Sequence, residues 1–354
     1  MGQFPSAPYV SQLVSVVASH NESHNESHNE PDKPRTLPDV PKPEESKTLE
    51  SELRTVIIKF LKDIGYKTPP RIKNDALWKT MLERAKETGV DLTSPHSRRC
   101  FEVGFTYAAV CYPSLPLGAQ VYAGLHTWLG TQIDDLPMKE HVREFQQRFY
   151  NGEKQLNLVL EGYASVLRST YDVWDNVTAN FIIISSLAFI NCNVLEERPE
   201  FQAMVPTKGG RRWPHYFRDR EGVPDAYSYF TFPKATHPDI GMFLEAIPDI
   251  GRVLNLCNDV LSFYKEEKAG VTLNYIHQRA NYEGRDVISV IKDAAEECLE
   301  AQRRIEIVLD GREPYRSAWM DHLQGYIHMH KTTKRYRLNE IDLAEEKSCK
   351  STYD

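Results

Sequence analysis

The chain lacks several features that would each assign it to a familiar class. Its six cysteines, Cys100, Cys111, Cys192, Cys257, Cys298 and Cys349, are scattered, with no Cys-x-x-Cys pair and no zinc spacing. That excludes a disulfide scaffold and fits reduced thiols serving as small apolar residues in a cytoplasmic protein. Basic charge is not in excess: 43 Lys and Arg stand against 50 Asp and Glu, a net charge of −7, so nucleic acid is not an expected partner. No apolar run reaches the length of a membrane span. The nearest, residues 181–195, is interrupted by Ser185, Ser186, Asn191 and Asn193, and reads as a buried core helix rather than a membrane anchor. No basic n-region precedes an apolar run, so no secretory signal is evident. Residues 1–6 (MGQFPS) do match the loose N-myristoylation pattern, with Pro5 against it. Strand-period alternation is scarce throughout.

The hydrophobic share of 41% over 354 residues is enough for a large core, and a single domain over 49–345 is expected. Residues 1–48 read as a disordered tail: a repeated Ser-His-Asn-Glu followed by Pro, Glu and Lys cannot bury enough apolar area to offset its ordering entropy. His20, His24 and His28 could hold a stray transition metal, and Asn21 and Asn25 match a glycosylation sequon without the secretory context to use it. Residues 346–354 are a second, short tail. Between the two, apolar periods predict helices over 49–61, 76–85, 101–112, 117–133, 141–150, 155–167, 171–195, 242–268, 271–278, 286–308 and 317–331. Breaks are short Pro, Gly or charged loops, so the expected fold class is an all-α bundle, with some helices buried all round.

Residues 258–266, NDVLSFYKE, organise the chain. The segment has no Gly or Pro, continues the 242–268 helix and is stopped by Gly270. Four residues turn a helix by about 400°, so Asn258, Ser262 and Glu266 form one stripe over roughly 12 Å. Helical side chains lean toward the N-terminus, which lets the long Glu266 reach back to the point shared by the shorter two. Such an oxygen site suits a hard cation such as Mg2+, with Lys265 adding positive charge beside it. A solvated helix face is the other reading; Val260, Leu261, Phe263 and Tyr264 around the stripe argue for burial.

Asp134 and Asp135 close the 117–133 helix just before Pro137. The helix dipole there is already negative, so a cation would relieve the repulsion; a solvated helix end is the alternative. Arg218, Arg220, Arg211 and Arg212 offer guanidinium forks that match phosphate oxygens, or form a basic surface loop. Lys334, Arg335, Tyr336 and Arg337 make a further basic run.

Together these motifs, in this order over roughly residues 50–345, resemble the class I terpene cyclases and in particular the fungal trichodiene synthase family. NDVLSFYKE is similar to that family's Asn/Ser/Glu metal motif. The resemblance implies an α-helical bundle with a central cavity, and Asp134, Asp135, Asn258, Ser262 and Glu266 as ligands of three Mg2+ ions, with Mn2+ a substitute. Met138 stands where many relatives carry a further acid, which leaves Asp134 the firmer ligand, Asp135 next and Glu140 last. The resemblance further implies Arg218 as diphosphate sensor, Glu221 as linker, Gly222 as a hinge where the helix unwinds, and Lys265, Arg335 and Tyr336 as diphosphate-binding groups. Asp134, Asn258, Arg335 and Tyr336 are the catalytic set so implied. Thr333 and Lys334 depart from the family's acidic and basic residues, which puts that local ion-pair network in question.

The chemistry suited to this constellation is loss of diphosphate from an allylic ester, with no nucleophile needed and a dry aromatic pocket around the carbocation. Helical spacing from the ligands nominates Trp128, Thr131 and Leu254 as pocket lining, and Phe105, Tyr122 and Phe230 after them; ordinary core packing is the competing reading for each aromatic. The expectation is a sesquiterpene cyclase acting on farnesyl diphosphate, of longiborneol synthase type rather than a maker of trichodiene. The alternatives are a chain-elongating prenyltransferase, which relatives of that kind perform with a second aspartate-rich motif, and a non-catalytic helical scaffold. Homodimers are common in the family; no interface is legible here.

Overall fold

The helical periods are realised as sixteen α-helices among the residues that the computed structural model describes, 43–70, 72–135, 139–345 and 349–350. In order they are α1 (Pro43–Asp63), α2 (Asp75–Glu87), α3 (Pro95–Cys111), α4 (Leu117–Asp135), α5 (Lys139–Val142), α6 (Phe145–Asn151), α7 (Leu158–Arg168) and α8 (Thr170–Val173). Then come α9 (Asn176–Glu196), α10 (Pro199–Gln202), α11 (Trp213–Glu221), α12 (Pro224–Phe230), α13 (Ile247–Lys268), α14 (Tyr275–Glu283), α15 (Val287–Val308) and α16 (Tyr315–Thr332). β1 (Ile72–Lys73) and β2 (Cys349–Lys350) make a two-residue parallel bridge; the class is all-α as expected. α1 already takes in residues 43–48, which the sequence reading places in the tail. The histidine repeat, the sequons, the lipidation pattern and Met138 lie outside the described residues.

Boundaries follow local chemistry. Asn157, Asp175, Asn274 and Asp286 each turn a side-chain oxygen onto a free amide at the start of α7, α9, α14 and α15. Gly270, with φ +70°, follows the end of α13, as read. Two long stretches are broken where one helix was expected. Residues 141–150 divide between α5 and α6. The 171–195 stretch divides at Trp174, because Asp175 accepts the Val177 amide at 2.8 Å and starts a new helix.

Packing then arranges helices around one cavity. α4 packs on α3, α3 on α16, α16 on α13, α13 on α12 and α12 on α9. The ring closes through His126 on α4, whose Nε2 lies 2.9 Å from Ser186 Oγ on α9. Two contacts are so close that only glycine fits: a Cβ on Gly325 would lie 1.9 Å from Val110 O, and one on Gly104 2.3 Å from Gly124 O. These set the spacing of α3 against α16 and α4.

α9 departs from the expected buried helix. It is long and apolar enough to cross a membrane, yet only half buried in the fold. Val177, Phe181 and Ile184 form an exposed stripe, because α11 and α12 cover its other side.

Candidate active site

A cavity of about 220 Å³ lies inside the ring of helices. α4 contributes His126, Thr127, Gly130, Thr131 and Asp134; α13 contributes Leu254, Asn255, Asn258, Lys265 and Glu266. Arg218, Glu221, Gly222 and Val223 enter from the break between α11 and α12, and Arg335 and Tyr336 from the turn after α16. The separate motifs of the sequence therefore meet at one place.

On α13 the oxygen stripe is already cross-linked. Arg218, 7% exposed, donates from Nη2 to Asn258 Oδ1 at 3.0 Å and from Nη1 to Glu221 Oε2 at 2.7 Å, while its Nε lies 2.8 Å from Asp259 Oδ1. Burial works against the Arg218 charge, but Asp259 and then Glu221 hold its proton affinity above the ordinary arginine value. Burial pushes the Asp259 carboxyl up to about 7, with the Arg218 charge opposing it. Asn258 is fixed at its other end too. His330 Nδ1 lies 2.8 Å from the Tyr326 carbonyl, so that nitrogen carries the proton and Nε2 accepts from Asn258 Nδ2 at 3.0 Å. Burial draws the His330 pKa down to about 3, which keeps the ring neutral. Asn258 is thus oriented with its oxygen toward Arg218. Further along, Ser262 Oγ donates to Glu266 Oε1 at 2.6 Å, and Asn274 Nδ2 to Glu266 Oε2 at 3.0 Å. Ser262 is 1% exposed and lies behind the cavity lining rather than on it.

At the end of α4 the two aspartates face different ways. Asp134 lines the cavity, in register with Thr127, Gly130 and Thr131 one and two turns back. Asp135, rotated about 100° from it, turns toward α3, where its Oδ2 lies 3.9 Å from Cys100 Sγ. Arg335 clasps Asp135 with two hydrogen bonds of 2.8 Å and lies 3.8 Å from Asp134 Oδ2. Burial raises the Tyr336 pKa, so its hydroxyl stays a neutral donor; its ring lies tilted against His330, centroids 4.1 Å apart, and 5.8 Å from Lys265 Nζ.

Several residues named from the sequence fall elsewhere. Trp128 shares the face of Asp135, not of Asp134, so it packs edge-on against Phe101 of α3 at 5.4 Å, fully buried and off the cavity. Phe105, Tyr122 and Phe230 are core residues against Trp78, Trp174 and His126. Glu140 is exposed, 4.0 Å from His141, and Arg220 lies over the ring of Tyr216; neither lines the cavity. Gly222 needs glycine for space rather than for backbone freedom. Its φ is −74°, while a Cβ there would lie 2.3 Å from Asn255 Oδ1. The left-handed residue at the break is Val223, φ 53°, a strained position for a β-branched side chain. The aromatic wall that spacing missed is Tyr107, Tyr163, Phe189, Tyr227 and Tyr326, joined by Met329. Only the arrangement of helices turns these inward, although Thr127 and Gly130 were accessible from the Asp134 register.

The donors on the α13 stripe and at Asp134 are all oxygens, two carboxylates among them, which fits a hard divalent cation and phosphate rather than a soft metal. The fold and the sequence agree with known proteins. A family model described as trichodiene synthase (TRI5) matches residues 101–352. Terpene synthase BipA of Cochliobolus sativus is 37% identical over 292 residues, 81% of this chain and 90% of that protein. Longiborneol synthase CLM1 of Gibberella zeae is 39% identical over 305 residues, 84% of this chain and 90% of that protein. Trichodiene synthase of Fusarium poae is 27% identical over 143 residues, 38% of this chain and 37% of that protein. Among solved structures, linalool/nerolidol synthase from Streptomyces clavuligerus in complex with 2-fluorogeranyl diphosphate shares the fold, with TM-score 0.55 at 12% identity, covering 77% of this chain and 99% of that one. With the family model spanning α3 to β2, and relatives aligned over nearly their whole length, the chain belongs to the trichodiene synthase family of terpene synthases.

Proposed function

We propose that this terpene synthase is a Mg2+-dependent sesquiterpene cyclase that ionises farnesyl diphosphate and folds the carbocation into a polycyclic product. The observation that carries the reading is that Asp134 on α4 and Asn258 and Glu266 on α13, helices far apart in sequence, line one cavity with Arg218, Lys265, Arg335 and Tyr336. Asp134, Asp135, Asn258, Ser262 and Glu266 are the groups that would hold the cations. Bound Mg2+ supplies charge that stabilises the diphosphate as its bond to carbon breaks. Arg218, Lys265 and Arg335 bind the same anion through charge, and Tyr336 through a neutral hydroxyl. Asn258 Oδ1 is both a metal donor in this reading and the present acceptor for Arg218, so a cation there would sit close to the guanidinium charge and disfavour the present contact. Were Asn258 Oδ1 to hold a cation, Nη2 of Arg218 would be turned away from it by charge repulsion and would be available to diphosphate.

The deeper wall suits the cation left behind. Tyr107, Tyr163, Tyr227 and Tyr326 are kept protonated by burial, so they offer ring faces rather than phenolates. At about 220 Å³ the cavity is below the roughly 300–1,000 Å³ usual for small-molecule sites, so a farnesyl chain enters only as the Arg335 clasp opens or the walls part. The similarity to longiborneol synthase over most of the chain, against a shorter match to trichodiene synthase, favours a product other than trichodiene. A cytoplasmic location, supported by five free buried thiols, and a homodimer belong to the same reading.

The test is incubation of purified protein with farnesyl diphosphate and Mg2+, with mass spectrometry of the organic extract. A cyclic hydrocarbon or alcohol is expected. A longer prenyl diphosphate would instead mark a chain-elongating enzyme, and unchanged substrate beside folded protein would leave a scaffold.

A further inference from the structure

Behind the aspartate pair, on the side away from the cavity, three side chains of different kinds converge. His96 and Cys100 are four residues apart on α3 and so share a face. Cys100 Sγ lies 3.5 Å from His96 Nε2 and 3.9 Å from Asp135 Oδ2, and the three donor atoms all fall within 4.8 Å of one another. Tetrahedral ligands at about 2.0–2.3 Å from a zinc ion lie roughly 3.3–3.8 Å apart. The first spacing already matches, and the others need closing by an ångström or less. Cys100 is 2% exposed, while half-buried His96 sits at the edge and gives a cation a way in.

We propose that His96, Cys100 and Asp135 form a site for a thiophilic divalent cation such as Zn2+, distinct in ligand chemistry from the oxygen sites of the cavity and coupled to them through Asp135. On binding, the Cys100 S–H bond breaks, the proton leaves to solvent and a sulfur–metal bond forms; nothing is oxidised or reduced. Imidazole and thiolate favour Zn2+ and Co2+ over Mg2+, so the hard cation of the cavity does not compete for this cluster. Burial, and then the Asp135 charge, hold the thiol well up, to about 12, so without a thiophilic metal Cys100 is an inert apolar group. The cost of occupancy falls on the cavity. Asp135 Oδ2 is the atom that accepts from Arg335 Nη1, so a cation on that oxygen loosens the Arg335 clasp and withdraws Asp135 from any metal on the cavity side. The site acts as an inhibitory trap in which the thiol is the selectivity element.

The probe is Co2+ alone, added to the full chain without substrate, so this arm stands whether or not the cyclase reading holds. A thiolate-to-cobalt absorption band that saturates at one equivalent and is bleached by Zn2+ is expected, absent in Cys100→Ser and weakened in His96→Gln. The histidines at positions 20, 24 and 28 cannot produce a thiolate band. No band in the wild-type chain, or a band that survives Cys100→Ser, overturns the proposal. The second arm rests on the proposed function: with excess Mg2+, Zn2+ inhibits diphosphate release, and Cys100→Ser raises the Zn2+ needed by at least about 10-fold, the scale set by contacts at zinc sites. Equal inhibition of both proteins overturns the coupling to Asp135.

Discussion

The two walls of the cavity that carry the proposed cation donors are built on opposite principles. The α13 wall is a closed hydrogen-bond network: Asn258 is held at both ends by Arg218 and His330, and Glu266 by Ser262 and Asn274. The α4 wall is a helix end whose two carboxylates share one arginine from a turn 200 residues away, hydrogen-bonded to Asp135 and 3.8 Å from Asp134. Preorganised donors lose little freedom on binding, so in the proposed reading the α13 wall would set where a cation sits. In the proposed reading the α4 wall acts as a gate, because Asp135 is available to another cation only when Arg335 lets go.

The comparison makes a ranking. Asn258→Ala removes a donor and strips Arg218 and His330 of a partner, so diphosphate release should fall about 10³-fold. Asp135→Asn, which keeps the shape of the gate, should cost about 10 to 100-fold. Equal kcat/KM values for the two variants would erase the distinction between platform and gate. Stability should divide in the same way. Arg218→Met leaves Asp259 and Glu221 without their cation inside the fold and should cost about 3–5 kcal/mol. Arg335→Met breaks a pair near the surface and should cost about 1 kcal/mol or less. Denaturant titrations of both proteins check this, and similar losses would mean that the α13 network is not the more deeply bound of the two.

A smaller effect tests the histidine behind Asn258. Burial draws His126, His322 and His330 down to about 3, so the fold keeps them neutral. The unfolded chain binds their protons below about pH 6.5 and the fold does not, so this stability is complete above that pH and lost below it, at about 1.4 kcal/mol per pH unit for each histidine. Urea unfolding at pH 7.5 and 5.5 should show the fall, and His330→Gln should flatten it by one histidine's share; a flat wild-type profile contradicts the neutral rings. The smallest effect separates orientation from packing. His330→Gln can still accept from Asn258 and should keep the Mn2+ affinity read by paramagnetic resonance. His330→Asn is too short to reach and should weaken it about 10-fold. Equal affinities would show that Asn258 needs no such support.

What could be read in the sequence was what a single helix determines. The stripe Asn258, Ser262, Glu266 follows from four-residue spacing alone. The break at Gly222 was legible only through the family resemblance, and the helices on either side of it, α11 and α12, lie in the 196–241 stretch where the apolar periods predict no helix. What could not be read depends on which way a helix is turned against its neighbours. Trp128 was placed on the cavity by counting seven back from Asp135 but packs on α3, while Thr131, counted four back from the same residue, does line the cavity, because the cavity face of α4 runs through Asp134, Thr131 and Thr127. The tyrosines of the wall look like ordinary core residues, since a cavity inside a bundle has the same apolar periods as the core around it. His330 carries no motif at all. Its role comes from contact with Asn258, 72 residues away in the chain.

The central claim is that cations bind between α4 and α13. Crystals grown with Mn2+ and pyrophosphate would test it most directly through anomalous scattering from the metal. The account predicts peaks against Asp134 and against Asn258 and Glu266, with pyrophosphate between them and Arg335 moved off Asp135. Pyrophosphate bound elsewhere, or manganese that ignores both walls, would contradict it.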